Sequence, residues 1–256
     1  MSPFQALEDL VATLRSPTGC PWDQEQTPRS LRPYLIEEAH EVIHAIDSGD
    51  SDALRDELGD LLFQVLLLAE IAKEMGSFDI DDVCTGIREK MIERHPHVFD
   101  PDHKPEADPG SIAAWEARKA QKRPKNQSML DGLPASLPAL LTAHRVGEKV
   151  SRVGFDWPDI AGVRSKFAEE TAVLDEAIAE NDSSAIAHEY GDLLLSMANL
   201  GRFLGVAPED CLREANARFA SRFRTVENLA KESDDSLHEM TLEELESLWD
   251  KAKELE

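Results

Sequence analysis

Four carboxylates with helical spacing are the residues of this sequence best suited to chemistry. Glu38 and Glu41 stand three apart in one predicted helix, and Glu57 and Asp60 repeat that spacing in the next. Residues three apart share a helix face, and the short link between the two helices favours antiparallel packing. The four carboxylates are therefore expected to converge. Clustered carboxylates repel one another, so the pattern indicates a site for a divalent cation with hard oxygen ligands, Mg²⁺ or else Mn²⁺.

The pattern recurs in the second half of the chain. Three carboxylates of the first half have counterparts of the same residue type at a constant distance along the sequence. Glu38 corresponds to Glu170, Glu57 to Glu189, and Asp60 to Asp192. The local strings agree as well, since residues 57–62 read ELGDLL and residues 189–194 read EYGDLL. Such self-similarity at a fixed offset indicates a duplicated module.

The second half lacks one carboxylate of the set. Val173 stands where the repeat places the counterpart of Glu41. We therefore expect a weaker metal site in the second module, and we expect the first module to carry most of the activity. Two alternatives stay open: water could supply the missing ligand, or the second module could serve dimerisation.

Helical periodicity dominates the chain, and strand-like alternation is nearly absent. The predicted fold is all-α, with two tandem helical-bundle modules, residues 1–123 and 124–256, joined by a Pro-rich linker. The prolines from Pro96 to Pro109 predict an extended connection. The predicted helices span residues 4–15, 29–48, 51–75, 79–94, 111–122, 138–152, 159–180, 183–204, 208–231 and 241–254.

Composition narrows the class of protein. The formal net charge of −24 disfavours nucleic-acid polymers as partners, because binding a phosphate backbone needs a basic surface. The longest apolar stretch, residues 61–69, is too short to cross a membrane. The three cysteines form no CxxC pair and favour a reducing compartment. We expect a cytoplasmic protein.

Longer strings resemble one known family. Glu38-x-x-Glu41 followed by Glu57-x-x-Asp60 is similar to the ExxE…ExxD signature of the all-α nucleoside triphosphate pyrophosphohydrolases. The strings GCPWD at 19–23, RHPHVF at 94–99 and VGFDW at 153–157 resemble the MazG branch of that superfamily. The resemblance covers essentially the whole chain.

The resemblance implies a reaction. Members of the family cleave a nucleoside triphosphate between its α and β phosphates, which yields a nucleoside monophosphate and diphosphate. Metal ions polarise the phosphoryl oxygens for attack by water on the α-phosphorus. Glu38 or Glu41 is the candidate catalytic residue that orients or deprotonates this water. The residue types do not decide which of the two is a metal ligand and which is the general base.

Cationic and tryptophan side chains recur at a spacing of four. Cations on one helix face can hold phosphate oxygens, and a tryptophan can stack a base. By resemblance these are the substrate-binding positions, although each cation could instead form a surface ion pair and each tryptophan could be a packing anchor. The candidates are Trp22, Lys90, Arg94, Trp115, Lys119, Arg218, Arg222, Trp249 and Lys253.

Rival interpretations divide into three classes. A di-iron carboxylate protein is disfavoured, because its Glu-x-x-His motifs belong on two helices, whereas Glu37-x-x-His40 and Glu41-x-x-His44 share one. A related pyrophosphohydrolase restricted to one nucleotide, such as phosphoribosyl-ATP or a single deoxynucleotide, is distinguished by its substrate profile. A non-catalytic docking or regulatory module has no need for their repetition. The family resemblance also implies a homodimer.

Overall fold

The structure, a computed structural model, describes residues 1–102, 128–232 and 236–255. Every regular element in these ranges is a helix, which confirms the all-α class. The chain divides into two compact units, Met1–Lys122 and Arg123–Glu256. In the described ranges, no helix has the length and apolar character needed to cross a membrane.

Unit 1 is built around a pair of antiparallel helices. Its described helices are α1 (Pro3–Arg15), α2 (Pro21–Glu25), α3 (Arg32–Ser48), α4 (Ser51–Glu74), α5 (Ile80–Arg94) and α6 (Pro96–Phe99). Gly49 reverses the chain between α3 and α4 with φ at 70°, a conformation that glycine adopts without steric cost. Asp50 then caps α4 by accepting hydrogen bonds from the backbone of Asp52 and Ala53. This two-residue turn fixes α3 against α4.

Unit 2 repeats this turn. Its described helices are α7 (Ala139–Ser151), α8 (Ile160–Glu180), α9 (Ser183–Leu204), α10 (Pro208–Glu232) and α11 (Leu242–Glu254). Asn181, at the position equivalent to the turn glycine, takes φ at 56°, and asparagine tolerates this left-handed region better than most residues. Asp182 caps α9 through the backbone of Ser184 and Ala185. The α8–α9 pair thus has the same connection as α3–α4.

The predicted helices in the described ranges are confirmed, but two short helices were missed. α2 and α6 each begin at a proline in the first turn, a position that tolerates the missing N–H. The prediction of an extended connection is therefore wrong at Pro96, which opens a helix instead. The predicted helix at 111–122 lies outside the described residues.

The hydrophobic core of unit 1 lies at one end of the α3–α4 pair. It joins α1, Leu31 and the start of α5 to the C-terminal half of α4, where Leu66 and Leu67 are almost fully buried. The N-terminal half of α4 contributes no residue to that cluster. This half carries Glu57 and Asp60, so these two carboxylates lie away from the core.

Arg15 ties the ends of α1, α2 and α4 together. Its side chain is 7% exposed and donates from Nε to Oε1 of Glu74 at 2.7 Å and from Nη2 to Oε2 at 2.5 Å. It also donates to the backbone oxygen of Asp23. The hydrogen bond to Glu74 raises the pKa of Arg15 and lowers the pKa of Glu74. The bidentate pair therefore stabilises the charged forms of both side chains.

Glu74→Gln should lower the free energy of unfolding at pH 7 by on the order of 1 kcal/mol, a modest value because solvent screens the half-exposed carboxylate. The folded-state pKa of Glu74 lies below the ordinary 4.5. Its stabilisation is therefore present above that pH and lost as the pH falls through the folded pKa. Urea unfolding at pH 7 and pH 3, with the exposed Glu25→Gln as control, measures this. An equal effect of Glu74→Gln at both pH values would contradict it.

Candidate active site

Three carboxylates converge between α3 and α4. Oxygen atoms of Glu38, Glu41 and Glu57 all lie within 4.8 Å of one another. Glu38 and Glu57 are partly buried, and Glu41 is exposed. The i,i+3 spacing on α3 places two of these groups on one face, and the tight turn at Gly49 brings α4 beside it.

The unit 1 cluster concentrates negative charge. Desolvation raises the pKa of Glu38, and the charges of Asp60 and Glu41 add to this, while a hydrogen bond with Gln64 opposes it. Desolvation and the charge of Glu41 likewise raise the pKa of Glu57. Asp60 is exposed and lies outside the group of three, but its charge is among those that act on Glu38. The cluster is therefore a set of repelling oxygens that a cation would relieve.

The equivalent cluster of unit 2 joins α8 to α9. Oxygen atoms of Glu170, Glu189 and Asp192 lie within 4.8 Å of one another. Glu170 is only 7% exposed, and Val173 lies one turn further along α8. Unlike the unit 1 cluster, this one has a cationic side chain of the same helix beside it.

Lys166 belongs to this second cluster. Its ammonium lies 2.5 Å from a carboxylate oxygen of Glu170 and 2.7 Å from one of Glu169. These two carboxylates, Glu169 first, raise the pKa of Lys166 above its ordinary range. Unit 1 has Tyr34 at the equivalent position, so the ammonium distinguishes the two sites.

A cleft of about 380 Å³ opens beside the second cluster. Glu170 and Asp192 line it together with Lys166. Its remaining walls come from α7, α9 and the connection between α7 and α8, and they combine apolar and cationic side chains. Among them are Phe155, Trp157, Leu195 and Arg202. A concave, mainly apolar pocket with a few charged groups is the usual form of a small-molecule site.

The predicted substrate-binding residues of unit 1 lie on α2 and α5. Trp22 is 48% exposed and meets the ring of Tyr34 edge to face, with centroids 5.7 Å apart. Lys90 is exposed and Arg94 is partly buried at the end of α5. Trp115 and Lys119 lie outside the described residues.

The predicted substrate-binding residues of unit 2 gather where α10 packs on α11. The guanidinium of Arg222 lies 6.0 Å from the ring centre of Trp249. Arg218 lies 3.8 Å from a carboxylate oxygen of Glu214, and Lys253 forms an ion pair of 2.9 Å with Asp250. The structure thus brings Arg222 and Trp249 together, but neither is among the residues that line the cleft.

Sequence reasoning missed three groups at the cleft. Lys166 had a readable signal, because it stands four residues before Glu170 and so shares its helix face. Phe155 and Trp157 occur in the VGFDW string, which served only as a mark of resemblance. Arg202 gave no local signal, since its partner Asp156 lies 46 residues away in sequence.

Comparisons with known proteins identify the family of the chain. Residues 26–99 match the sequence model of the MazG nucleotide pyrophosphohydrolase domain, a segment that contains the unit 1 cluster. A Thermotoga maritima protein named nucleoside triphosphate pyrophosphohydrolase/pyrophosphatase MazG is 45% identical over 252 residues, which cover 98% of this chain and 95% of the relative. The chain belongs to the MazG family. An Escherichia coli K12 nucleoside triphosphate pyrophosphohydrolase is 40% identical over 264 residues, covering 100% of this chain and 99% of that protein.

The ligand sets of this MazG-family chain suit a divalent cation. Each cluster offers carboxylate oxygens only, the hard ligands that Mg²⁺ and Mn²⁺ accept. In unit 1 desolvation and neighbouring carboxylates raise the pKa values of Glu38 and Glu57, so a positive charge would stabilise the cluster. In unit 2 Lys166 supplies one such charge. We therefore expect the unit 1 cluster to bind a cation more tightly.

Calorimetric titration with Mn²⁺ should reveal two classes of site. Glu170→Gln should weaken the weaker class by more than about tenfold, given that even indirect supports of metal ligands have effects of that size. Val173→Glu should strengthen the same class by restoring the fourth carboxylate. Glu176→Gln, an exposed change on α8, is the matched control. A single class of site whose affinity for Mn²⁺ is the same in wild type, Glu170→Gln and Val173→Glu would contradict the second site.

Proposed function

We propose that this chain is a nucleoside triphosphate pyrophosphohydrolase that releases a nucleoside monophosphate and diphosphate, with Mg²⁺ as its cation and Mn²⁺ as a substitute. The observation that carries the proposal is the carboxylate cluster between paired helices, repeated in both units and opening in unit 2 on a cleft with aromatic and cationic walls. The names of the full-length relatives support the same reaction. A cytoplasmic location is proposed too, since the cysteines are free thiols.

The proposed step is attack of water on the α-phosphorus, with diphosphate as the leaving group. A divalent cation, when bound, supplies positive charge to the phosphoryl oxygens. In unit 1 Glu41 or Glu38 accepts the proton of the attacking water. In unit 2 Val173 cannot do so, and the carboxylates that remain are Glu170, Glu189 and Asp192.

We propose that unit 1 carries most of the hydrolysis. It keeps Glu41 and Asp60 beside Glu38 and Glu57, and their mutual repulsion favours cation binding. Unit 2 has lost one ligand and has gained Lys166. We propose that unit 2 binds nucleotide in its cleft and turns it over more slowly.

Several cations are proposed to hold the triphosphate. Lys166 lines the unit 2 cleft, where it faces the same volume as the metal cluster. Arg222 with Trp249, Arg218 and Lys253 form a second group on α10 and α11. In unit 1 the proposed cations are Lys90, Arg94 and Lys119. Trp22 and Trp115 are proposed to stack the base.

Release of diphosphate from a panel of ribo- and deoxynucleoside triphosphates with Mg²⁺ tests the function. Glu41→Gln should lower kcat by about 100-fold or more, because it removes a ligand or general base. Glu189→Gln should remove only the smaller share of diphosphate release that we assign to unit 2. The exposed Glu25→Gln should behave as wild type.

Each other outcome has a definite meaning. If Glu189→Gln alone abolishes release, unit 2 is the enzyme and three carboxylates suffice. A single accepted substrate indicates the nucleotide-restricted relative. The absence of release by wild type from every nucleotide contradicts the proposed function and favours a docking module.

We also propose a homodimer, on the strength of exposed apolar faces at equivalent positions of α4 and α9. Each of the side chains concerned is at least 36% exposed. They are Leu58, Leu62 and Val65 on α4 and, at the equivalent positions of the repeat, Tyr190, Leu194 and Met197 on α9. A second copy of the chain presents the same faces, as a two-fold symmetric interface requires.

Light scattering coupled to size exclusion should give twice the chain mass of 28.5 kDa. Leu58→Asp combined with Tyr190→Asp should shift the protein toward the single-chain mass, because a buried unpaired carboxylate is costly. Ile46→Asp, at an exposed apolar residue of α3, should leave the mass unchanged. A wild-type protein that shows only the single-chain mass at micromolar concentration would contradict the dimer.

A further inference from the structure

The connection between α7 and α8 carries an aromatic residue that the fold holds in the open. We call residues 153–157 the aromatic loop. The backbone N–H of Phe155 donates to the carbonyl of Val150 at 3.2 Å, and Gly154 takes φ at 82°, so the loop turns sharply off the end of α7. Phe155 is 79% exposed and lines the unit 2 cleft. A large apolar side chain kept this exposed on a closed turn is available to a ligand.

An ion pair anchors this loop to α9. Arg202 donates to the two carboxylate oxygens of Asp156 at 2.9 and 2.6 Å, and Nε of Arg202 donates to Oδ1 of Asn199 at 2.9 Å. The side chains of Arg202 and Asp156 are only 16% and 21% exposed. A bidentate pair with every guanidinium nitrogen engaged fixes direction as well as distance.

The neighbouring helices leave room for this anchor. A Cβ atom at Gly147 of α7 would lie 3.0 Å from Oδ1 of Asn199 and 3.1 Å from Nε of Arg202. A larger residue there would displace the guanidinium. The close approach of α7 to α9 at Gly147 thus belongs to the same arrangement.

The other end of the loop is fixed as well. The ring of Trp157 packs over Gly162 on α8, where a Cβ atom would come within 2.5 Å of Cδ1 of the ring. The backbone N–H of Trp157 donates to the Asp156 carboxylate at 2.9 Å. Asp156 therefore holds both Arg202 and the loop backbone, and Phe155 is the aromatic residue of the loop whose face stays open to a ligand.

We propose that the Asp156–Arg202 ion pair is a positioning device that holds Phe155 as the base-contacting wall of the unit 2 cleft. This inference rests on the proposed binding of nucleotide in that cleft. The carboxylates and Lys166 line the cleft as well, and they suit the triphosphate and its cation. Phe155 offers an exposed aromatic face, and stacking on such a face accepts any base. Asp156 and Arg202 act on affinity through Phe155 rather than by touching the base.

The test uses binding rather than turnover, so that it stands apart from hydrolysis. Calorimetry of the chain with its native tryptophans measures the Kd of a non-hydrolysable nucleoside triphosphate analogue, with inorganic tripolyphosphate as the probe that lacks a base. The class of nucleotide site that weakens in Glu189→Gln belongs to unit 2, and its Kd is the one compared between variants.

Phe155→Leu should raise the Kd of the analogue about tenfold, as expected for the loss of one stacked base, and leave the Kd of tripolyphosphate unchanged. Asp156→Asn should do the same, and the double variant should be no worse than either single one, since both changes remove one interaction. Asp156→Glu keeps the carboxylate and should raise the Kd of the analogue less than Asp156→Asn does. Phe4→Leu, at an exposed phenylalanine of unit 1, is the matched control.

Three results would overturn the inference. They are an unchanged Kd in Phe155→Leu, an equal loss for the analogue and tripolyphosphate, and additive losses in the double variant. If Phe155→Leu weakens binding of the analogue but wild type releases no diphosphate, this inference stands and the proposed hydrolysis is contradicted. If wild type releases diphosphate but none of the expected changes in Kd is found, the hydrolysis stands and this inference is contradicted.

Discussion

Mutual repulsion of carboxylates held between two antiparallel helices is the constraint on which the rest of this structure depends. The i,i+3 spacing on α3 and the tight turn into α4 bring Glu38, Glu41 and Glu57 within 4.8 Å of one another. Such a cluster is unfavourable without a compensating cation. The fold accommodates it by placing the hydrophobic core of unit 1 at the opposite end of α4, around Leu66 and Leu67, so that folding does not depend on burying like charges.

The two repeats meet this constraint differently. They share the turn, with Gly49 in one and Asn181 in the other, and an aspartate cap after it. Unit 1 brings carboxylates together, and their mutual repulsion suits cation binding. Unit 2 replaces one carboxylate by Val173 and brings in the ammonium of Lys166 at 2.5 Å from Glu170. The two units thus share a turn geometry, while the electrostatics of their sites differ.

The sequence predicted those parts of the fold and of the site that depend on residues close to one another along the chain. The long helices, the antiparallel pairs and the grouped carboxylates follow from helical periodicity and short turns, except that Asp60 was expected in the unit 1 cluster and lies outside it. Two classes of feature escaped. The short helices α2 and α6 have too few residues to show a period. The pairs Arg202–Asp156 and Arg15–Glu74 join residues 46 and 59 positions apart, and only the packed fold brings such partners together. Both residues of the first pair line the cleft of unit 2, so its shape was not readable from residue spacing.

The most direct test of the central claim is the anomalous scattering of Mn²⁺ in crystals grown with a non-hydrolysable nucleoside triphosphate analogue. We expect Mn²⁺ bound by Glu38, Glu41 and Glu57 in unit 1, and by Glu170, Glu189 and Asp192 in unit 2. We also expect the triphosphate of an analogue in the unit 2 cleft to lie beside that second ion. Mn²⁺ and triphosphate bound elsewhere, with both carboxylate clusters empty, would contradict the claim.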